Sequence, residues 1–122
     1  DRLTVLKTKN EILAAIFDRA AEGIRRLPDG GYRRWLRARI EALPDIENGQ
    51  VLTNAADRGT VAELLAESGR QGLEPADAPA PLRAGIVVRG GNVDMDLSVD
   101  SLMDALKESL VEKLAKELFV EV

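Results

Sequence analysis

The chain contains no cysteine and no histidine. It therefore lacks the thiolates and imidazoles that build zinc and iron–sulfur sites, and the side chain most often used as acid or base near neutral pH. Freedom from cysteine suits the reducing cytoplasm. Aromatic residues are scarce as well: one Trp, one Tyr and two Phe in 122 residues, a thin supply for stacking nucleic-acid bases. Apolar runs end after a handful of residues, far short of the ~20 that a membrane-spanning helix needs. No cationic, apolar, small-residue signal opens the chain. Asp1 already stands inside a helical pattern, so the expectation is a fragment whose first helix continues upstream.

What is present fits one globular domain. Apolar residues make up 45% and charged residues 31%, ordinary proportions for such a fold. A chain of this length removes roughly two-thirds of its unfolded surface from water. The net charge of −4 is unevenly spread: residues 1–43 carry ten Lys/Arg against six Asp/Glu (+4), and residues 44–122 carry seven against fifteen (−8). Such a dipolar chain favours a charged partner at one end, or simply has an uneven solvated surface.

The stretch from Ala84 to Phe119 organises the rest. Ile86-Val87-Val88 reads as a buried strand and Gly90-Gly91-Asn92 as a hairpin turn using positive φ. Val93, Met95 and Leu97 alternate with Asp94 and Asp96, the pattern of a strand with one wet face. A terminal helix follows. Its stripe of Leu102/Met103, Leu106, Leu110, Leu114 and Leu118 is expected to lie on the apolar face of the hairpin.

Upstream, Leu3, Leu6, Leu13, Ile16/Phe17, Ala20, Ile24 and Leu27 predict a helix over residues 2–27, more solvated around Lys7–Asn10. Pro28-Asp29-Gly30-Gly31 stops it. A second helix is predicted over Tyr32–Leu43, burying Trp35, Leu36, Ile40 and Leu43. Val51-Leu52-Thr53 is a short strand, and Val61, Leu64 and Leu65 mark a helix reaching Gly69. Residues 70–83 read as a loop with a brief edge strand near Leu73. The expected fold is α+β: a small mixed or antiparallel sheet packed by helices, with long amphipathic helices at both ends.

Few residues invite chemistry. Gly90-Gly91 lacks the Lys and the following helix of a phosphate-binding loop. Asp94, Asp96, Ser98 and Asp100 resemble the start of a calcium loop, but Val99 and Ala105 stand where that loop needs Gly and a bidentate Glu. Solvated aspartates on an edge strand, followed by a Ser98 helix cap, fit better. Arg33, Arg34, Arg37 and Arg39 around Tyr32 and Trp35 suit either nucleic-acid phosphates or a plain basic helix face. Glu108/Glu112 lie on the exposed side of the last helix, where Glu112–Lys116 and Lys113–Glu117 are supporting i,i+4 pairs. No catalytic, cofactor-binding or metal-binding residue is expected, and association rather than catalysis is the anticipated role.

Three places together resemble the C-terminal globular domain of the E-type peripheral-stalk protein of the archaeal/bacterial A/V-type (vacuolar-type) rotary ATP synthase. One is the helix through Phe17–Leu27, Pro28, and the Tyr-led helix Tyr32–Leu43. Another is the hairpin Gly85-Ile86-Val87-Val88-Arg89-Gly90-Gly91-Asn92, and the third is the ending Leu114-Ala115-Lys116-Glu117-Leu118-Phe119. Ala84-Gly85 stands where that family often has Gly-Gly. Leu97-Ser98 and Leu102-Met103 stand where it often has Asn-Thr-x-x-x-Arg-Leu, so the Arg is missing.

The resemblance implies a non-catalytic peripheral-stalk (stator) component, without cofactor, on the cytoplasmic side of the membrane. Residues 1–27 would end a long coiled-coil helix and residues 28–122 would form the head-binding domain. Its partners would be a second helical stalk protein and the catalytic-head subunits of a proton- or sodium-translocating ATPase. Membrane association would be only indirect, and no nucleic-acid partner is implied. Leu3, Val5 and Leu6 would then pair with the partner helix; the other reading is that they pack on this domain. A stator-like adaptor of flagellar or type III export ATPases is the competing family, and a nucleic-acid-binding domain using Arg33–Arg39 is the remaining alternative.

Overall fold

Alternation in the central third of the chain decides the architecture. In the computed structural model, which describes residues 2–91 and 93–119, β1 (Gly49–Leu52), β2 (Leu73–Pro75), β3 (Gly85–Arg89) and β4 (Asp94–Ser98) form one sheet in the order β2-β1-β3-β4. β1 and β2 run parallel, whereas β1–β3 and β3–β4 are antiparallel. The registers Gly49↔Leu73, Val51↔Val88, Val88↔Met95 and Ile86↔Leu97 put Val51, Leu73, Ile86, Val88, Met95 and Leu97 on one face. Because strand side chains alternate, Gln50, Leu52, Val87, Asp94 and Asp96 occupy the other face, where each is half-buried or exposed.

Helices cover only the first face. α2 (Gly31–Glu41) contributes Leu36 and Ile40, and α3 (Arg58–Ser68), the crossover between the parallel strands, contributes Val61, Leu64 and Leu65. Leu43 and Ile46 complete this core from the loop before β1. α1 (Arg2–Arg25) and α4 (Val99–Phe119) stand at one end of the domain and touch each other. A smaller cluster of Ala21, Ala84 and Val99, with Ala20, Ile24, Tyr32, Trp35 and Met103 around it, joins them to the body. The fold is α+β, and among the described residues no helix is long and apolar enough to cross a membrane.

Several boundaries differ from the sequence reading for local reasons. α1 ends at Arg25, and Leu27 is 45% exposed, since a residue preceding proline is pushed out of the helical region. α2 ends at Glu41, leaving Leu43 buried in the loop beyond it. Trp35 is half-buried rather than enclosed. Of the expected stripe on α4, Met103 packs into the small cluster and Leu106 is 58% exposed. α4 leaves β4 directly and touches both β4 and α1. The side chains of Leu6, Leu110, Leu114, Leu118 and Phe119, and Asn92 of the turn, lie outside the described residues.

Neither hairpin glycine has positive φ, and Gly90 serves close approach. A Cβ at Gly90 would stand 2.7 Å from the Ile46 side chain and 3.2 Å from the Val93 carbonyl, and the described left-handed glycines are Gly30, Gly69 and Gly85. Gly85 is the more constrained: it has φ +98, and a Cβ there would sit 2.7 Å from both the Leu97 carbonyl oxygen and the Ser98 Cα. Backbone cannot move aside as a flexible side chain can. Gly85→Ala is therefore expected to cost about 2–3 kcal/mol of stability, read from urea unfolding; a loss within error of zero would contradict this geometry.

Candidate functional site

A carboxylate held beneath the root of α1 is the centre of the site. Asp57 stands at the N-cap position of α3, where such a residue ordinarily accepts from the first helical amides. Its side chain makes no such cap bond. It accepts instead from the Tyr32 hydroxyl at 2.5 Å and from Arg25 Nη1 at 2.6 Å, with only 6% of the side chain exposed. Asn54 takes over the local turn, its Oδ1 accepting from the Asp57 amide at 2.9 Å. Asn54 Nδ2 also donates to the carbonyls of Leu82 and Arg83, pinning the loop before β3.

The same atoms tie four elements together. Tyr32 comes from α2, Arg25 from α1 and Asp57 from the head of α3; the Gly85 amide, opening β3, donates to the Tyr32 oxygen at 3.3 Å. Arg25 lies over the Tyr32 ring at 5.2 Å, Tyr32 stacks on Trp35 at 5.9 Å, and Arg39 lies over Trp35 at 5.6 Å. Tyr32, Trp35 and Arg39 are three and four residues apart, so one face of α2 carries this ladder. Burial, then the hydrogen bond to Asp57, pushes the Tyr32 hydroxyl above its ordinary value, and the hydrogen bond that Arg25 donates to Asp57 raises the guanidinium. A phenol so placed stays protonated, which suits bracing and not proton transfer near neutral pH.

Arg83 forms a neighbouring node. Its Nε donates to Asp18 of α1 at 2.5 Å and its Nη1 to Asp100 in the first turn of α4. Ser98 Oγ caps that helix by accepting from the Ser101 amide at 3.2 Å. Of the residues that resembled a calcium loop, Asp94 and Asp96 face outward on β4, Ser98 is the cap and Asp100 is bound by Arg83. No group of three metal-ligating side chains occurs among the described residues.

Toward its start α1 carries several exposed apolar side chains. Leu3 is 78%, Val5 66%, Ile12 55% and Ile16 45% exposed. Leu3 and Val5 thus do not pack on the domain; the Leu6 side chain lies outside the described residues. An open, almost wholly apolar groove of about 390 Å³ runs along this helix, lined by Thr4, Val5, Thr8, Ile12 and Leu13. The arginines of α2 are by contrast engaged. Arg33 bridges Glu63 and Glu67, Arg37 also reaches Glu67, and Arg34 donates to the Asp29 carbonyl. Internal partners of this kind compete with any phosphate for those cations.

Sequence reasoning missed Arg25, Asp57 and Arg83, whose partners are 32, 65 and 17 residues away. The nearest signal was the polar run Asn54–Gly59 directly before an apolar helix, which marks a cap without revealing a carboxylate turned inward. In comparisons with known proteins, no family model matches the chain, and no curated protein matches it significantly.

The buried carboxylate makes stability depend on its partners. Asp57→Ala strands the Arg25 guanidinium and the Tyr32 hydroxyl, and an expected loss of about 3 kcal/mol should exceed the ~2 kcal/mol of Tyr32→Phe in urea titrations. The pH dependence has a definite sign. Unfolded tyrosine titrates near 10.0 and folded Tyr32 higher, so this stabilisation is complete below pH 10 and fades as pH rises through the folded value. Wild type should therefore lose stability relative to Tyr32→Phe above pH 10, and a constant difference would contradict the buried phenol.

Proposed function

We propose that this chain is the head-binding end of a non-catalytic peripheral-stalk protein of a rotary ATPase, similar to the E-type stalk protein of the A/V class. In this role it links the catalytic head to the membrane sector from the cytoplasmic side. It resists the torque that the rotating shaft applies as protons or sodium ions cross the membrane. The observation that carries this reading is α1: a helix rooted in a charge-braced α+β body, with Leu3, Val5, Ile12 and Ile16 all at least 45% exposed. Of these, Val5, Ile12 and Ile16 are seven and four residues apart and share one face, which suits an amphipathic partner helix that the second stalk protein would supply. The residue resemblance adds the Pro28 break, the Tyr-led α2 and the Gly85–Asn92 hairpin.

Exposure also makes the partner-binding role of Leu3 and Val5 separable from folding. Leu3→Ser combined with Val5→Ser and Ile12→Ser should leave thermal unfolding of the chain unchanged. The same variant should weaken capture of the co-expressed stalk helix by about tenfold or more, since each large side chain buried at an interface contributes on the order of 1–2 kcal/mol. Equal capture by variant and wild type would remove α1 as the docking face.

The full assignment is tested by pull-down of the full-length stalk protein, co-expressed with its helical partner, on the isolated catalytic head. Stoichiometric capture that requires residues 1–122 is expected. Failure to bind while folded would overturn the stalk reading, and binding to a flagellar or type III export ATPase instead would move the chain to the adaptor family.

A further inference from the structure

The fully buried centre of the contact that joins α1 to the body is made of small side chains. Ala21 is 4% exposed, Ala84 0% and Val99 1%, and half-buried Ala20, Ile24, Tyr32, Trp35 and Met103 pack around them. Alanines let backbones approach closely but interdigitate little, so shape alone restrains the crossing angle less than meshed leucine ridges would. Upstream of Ala20 only Leu13 and Phe17 have half-buried side chains among the described residues of α1. Among the described side chains of α1, the fully buried anchor, Ala21, thus lies in its last turns.

We propose that Arg83 is a positioning residue, a latch that sets the angle at which α1 leaves the body. It lies in the loop entering β3, next to the pivot residue Ala84, and holds Asp18 of α1 and Asp100 of α4 at once. Asp18 is three residues from Ala21, and Asp100 adjoins Val99, so both carboxylates flank the small cluster. Arg25, beyond the cluster, fixes the far end of α1 through Asp57 and also donates to the Arg83 carbonyl at 3.4 Å. One anchor beyond a pivot leaves rotation free; a second anchor on the near side removes it. Asp100 has further reason to keep its partner, because its Oδ1 is buried with no hydrogen-bond partner and Arg83 compensates the carboxylate through Oδ2.

The lever is long. From Ala21 back to Arg2 the helix extends roughly 28 Å, so a swing of about 15° at the pivot moves its first turn by about 7 Å. Asp18 is 66% and Arg83 35% exposed at the side chain, which leaves the latch open to screening by salt. The significance of this device rests on the stalk reading, where the helix angle decides how a stator meets its head. Its test does not.

The chain has no cysteine, so Lys7→Cys on α1 and Gln71→Cys on the body, both exposed, accept nitroxide labels without background. Double electron–electron resonance then reads the distribution of their separation. Arg83→Met should widen it about twofold. Arg83→Lys should give an intermediate width, and wild type in about 1 M salt should move toward the Arg83→Met profile. Arg33→Met, which removes an exposed arginine bridge between α2 and α3, should leave the width unchanged. Asp18→Asn breaks the same latch on an exposed face and decides the matter if Arg83→Met fails to fold. Unchanged widths in the folded Arg83→Met and Asp18→Asn proteins would overturn the latch. That result leaves capture by the catalytic head unaffected as evidence, and loss of capture with an intact latch would count against the stalk reading alone.

Discussion

One buried carboxylate constrains much of this structure. Asp57 is 4% exposed, and an isolated charge at that depth would be costly enough to be neutralised or expelled. It stays because two elements deliver partners to it: α2 supplies the Tyr32 hydroxyl and α1 supplies Arg25. Each partner is at the terminus of its element or one residue inside it. The carboxylate therefore ties down helix ends, the places where packing is thinnest and fraying begins. A hydrophobic residue at 57 would fill space, but would not specify which turn of α1 lies above it.

The apolar core and the polar nodes divide the work between them. Leu36, Ile40, Val61, Leu64, Leu65, Ile86 and Val88 hold α2 and α3 on the sheet by area, with little directional demand. At the α1 and α4 end the fully buried side chains shrink to Ala21, Ala84 and Val99, with Ile24, Tyr32, Trp35 and Met103 half-buried around them, and Arg25, Asp57, Tyr32 and Arg83 supply the directional contacts. Gly85 belongs to both systems: its amide meets the Tyr32 hydroxyl, its carbonyl accepts from the buried Thr53 hydroxyl at 2.8 Å, and its left-handed backbone admits the Ser98 main chain. That position is where the sheet, the helix root and the start of α4 converge.

How much of this was legible follows from the range of each interaction. The hairpin strands, the crossover helix and the edge strand near Leu73 are written in alternation and periodicity within ten residues, and the α+β class followed from their order. Local chemistry was legible too: Ser98 caps α4, and Asp94 and Asp96 face outward on the edge strand. The polar nodes were not. Asp57 reads as a cap because its neighbours are turn-formers, and only the tertiary fold brings Arg25 within reach. The stripe on α4 shows the complementary limit: leucine periodicity reports that a helix has an apolar side, not which element receives it. Met103 joins the small cluster, while Leu106 is 58% exposed.

The exposed half of α1 then has a physical rationale that a core helix would not need. A helix whose apolar residues are satisfied by its own domain gains nothing from a partner; one left with Leu3, Val5, Ile12 and Ile16 in water gains on association about what burial of that surface supplies. Such a helix transmits force only if its root is stiffer than its shaft. Large leucines at the root would resist separation but let the helix roll, whereas hydrogen bonds and ion pairs are directional and oppose rotation about the axis as well as lateral displacement. Charged side chains at the root and apolar ones along the shaft would suit the load-bearing, partner-seeking helix of the proposed function, and differ from what a helix packed for domain stability alone would carry.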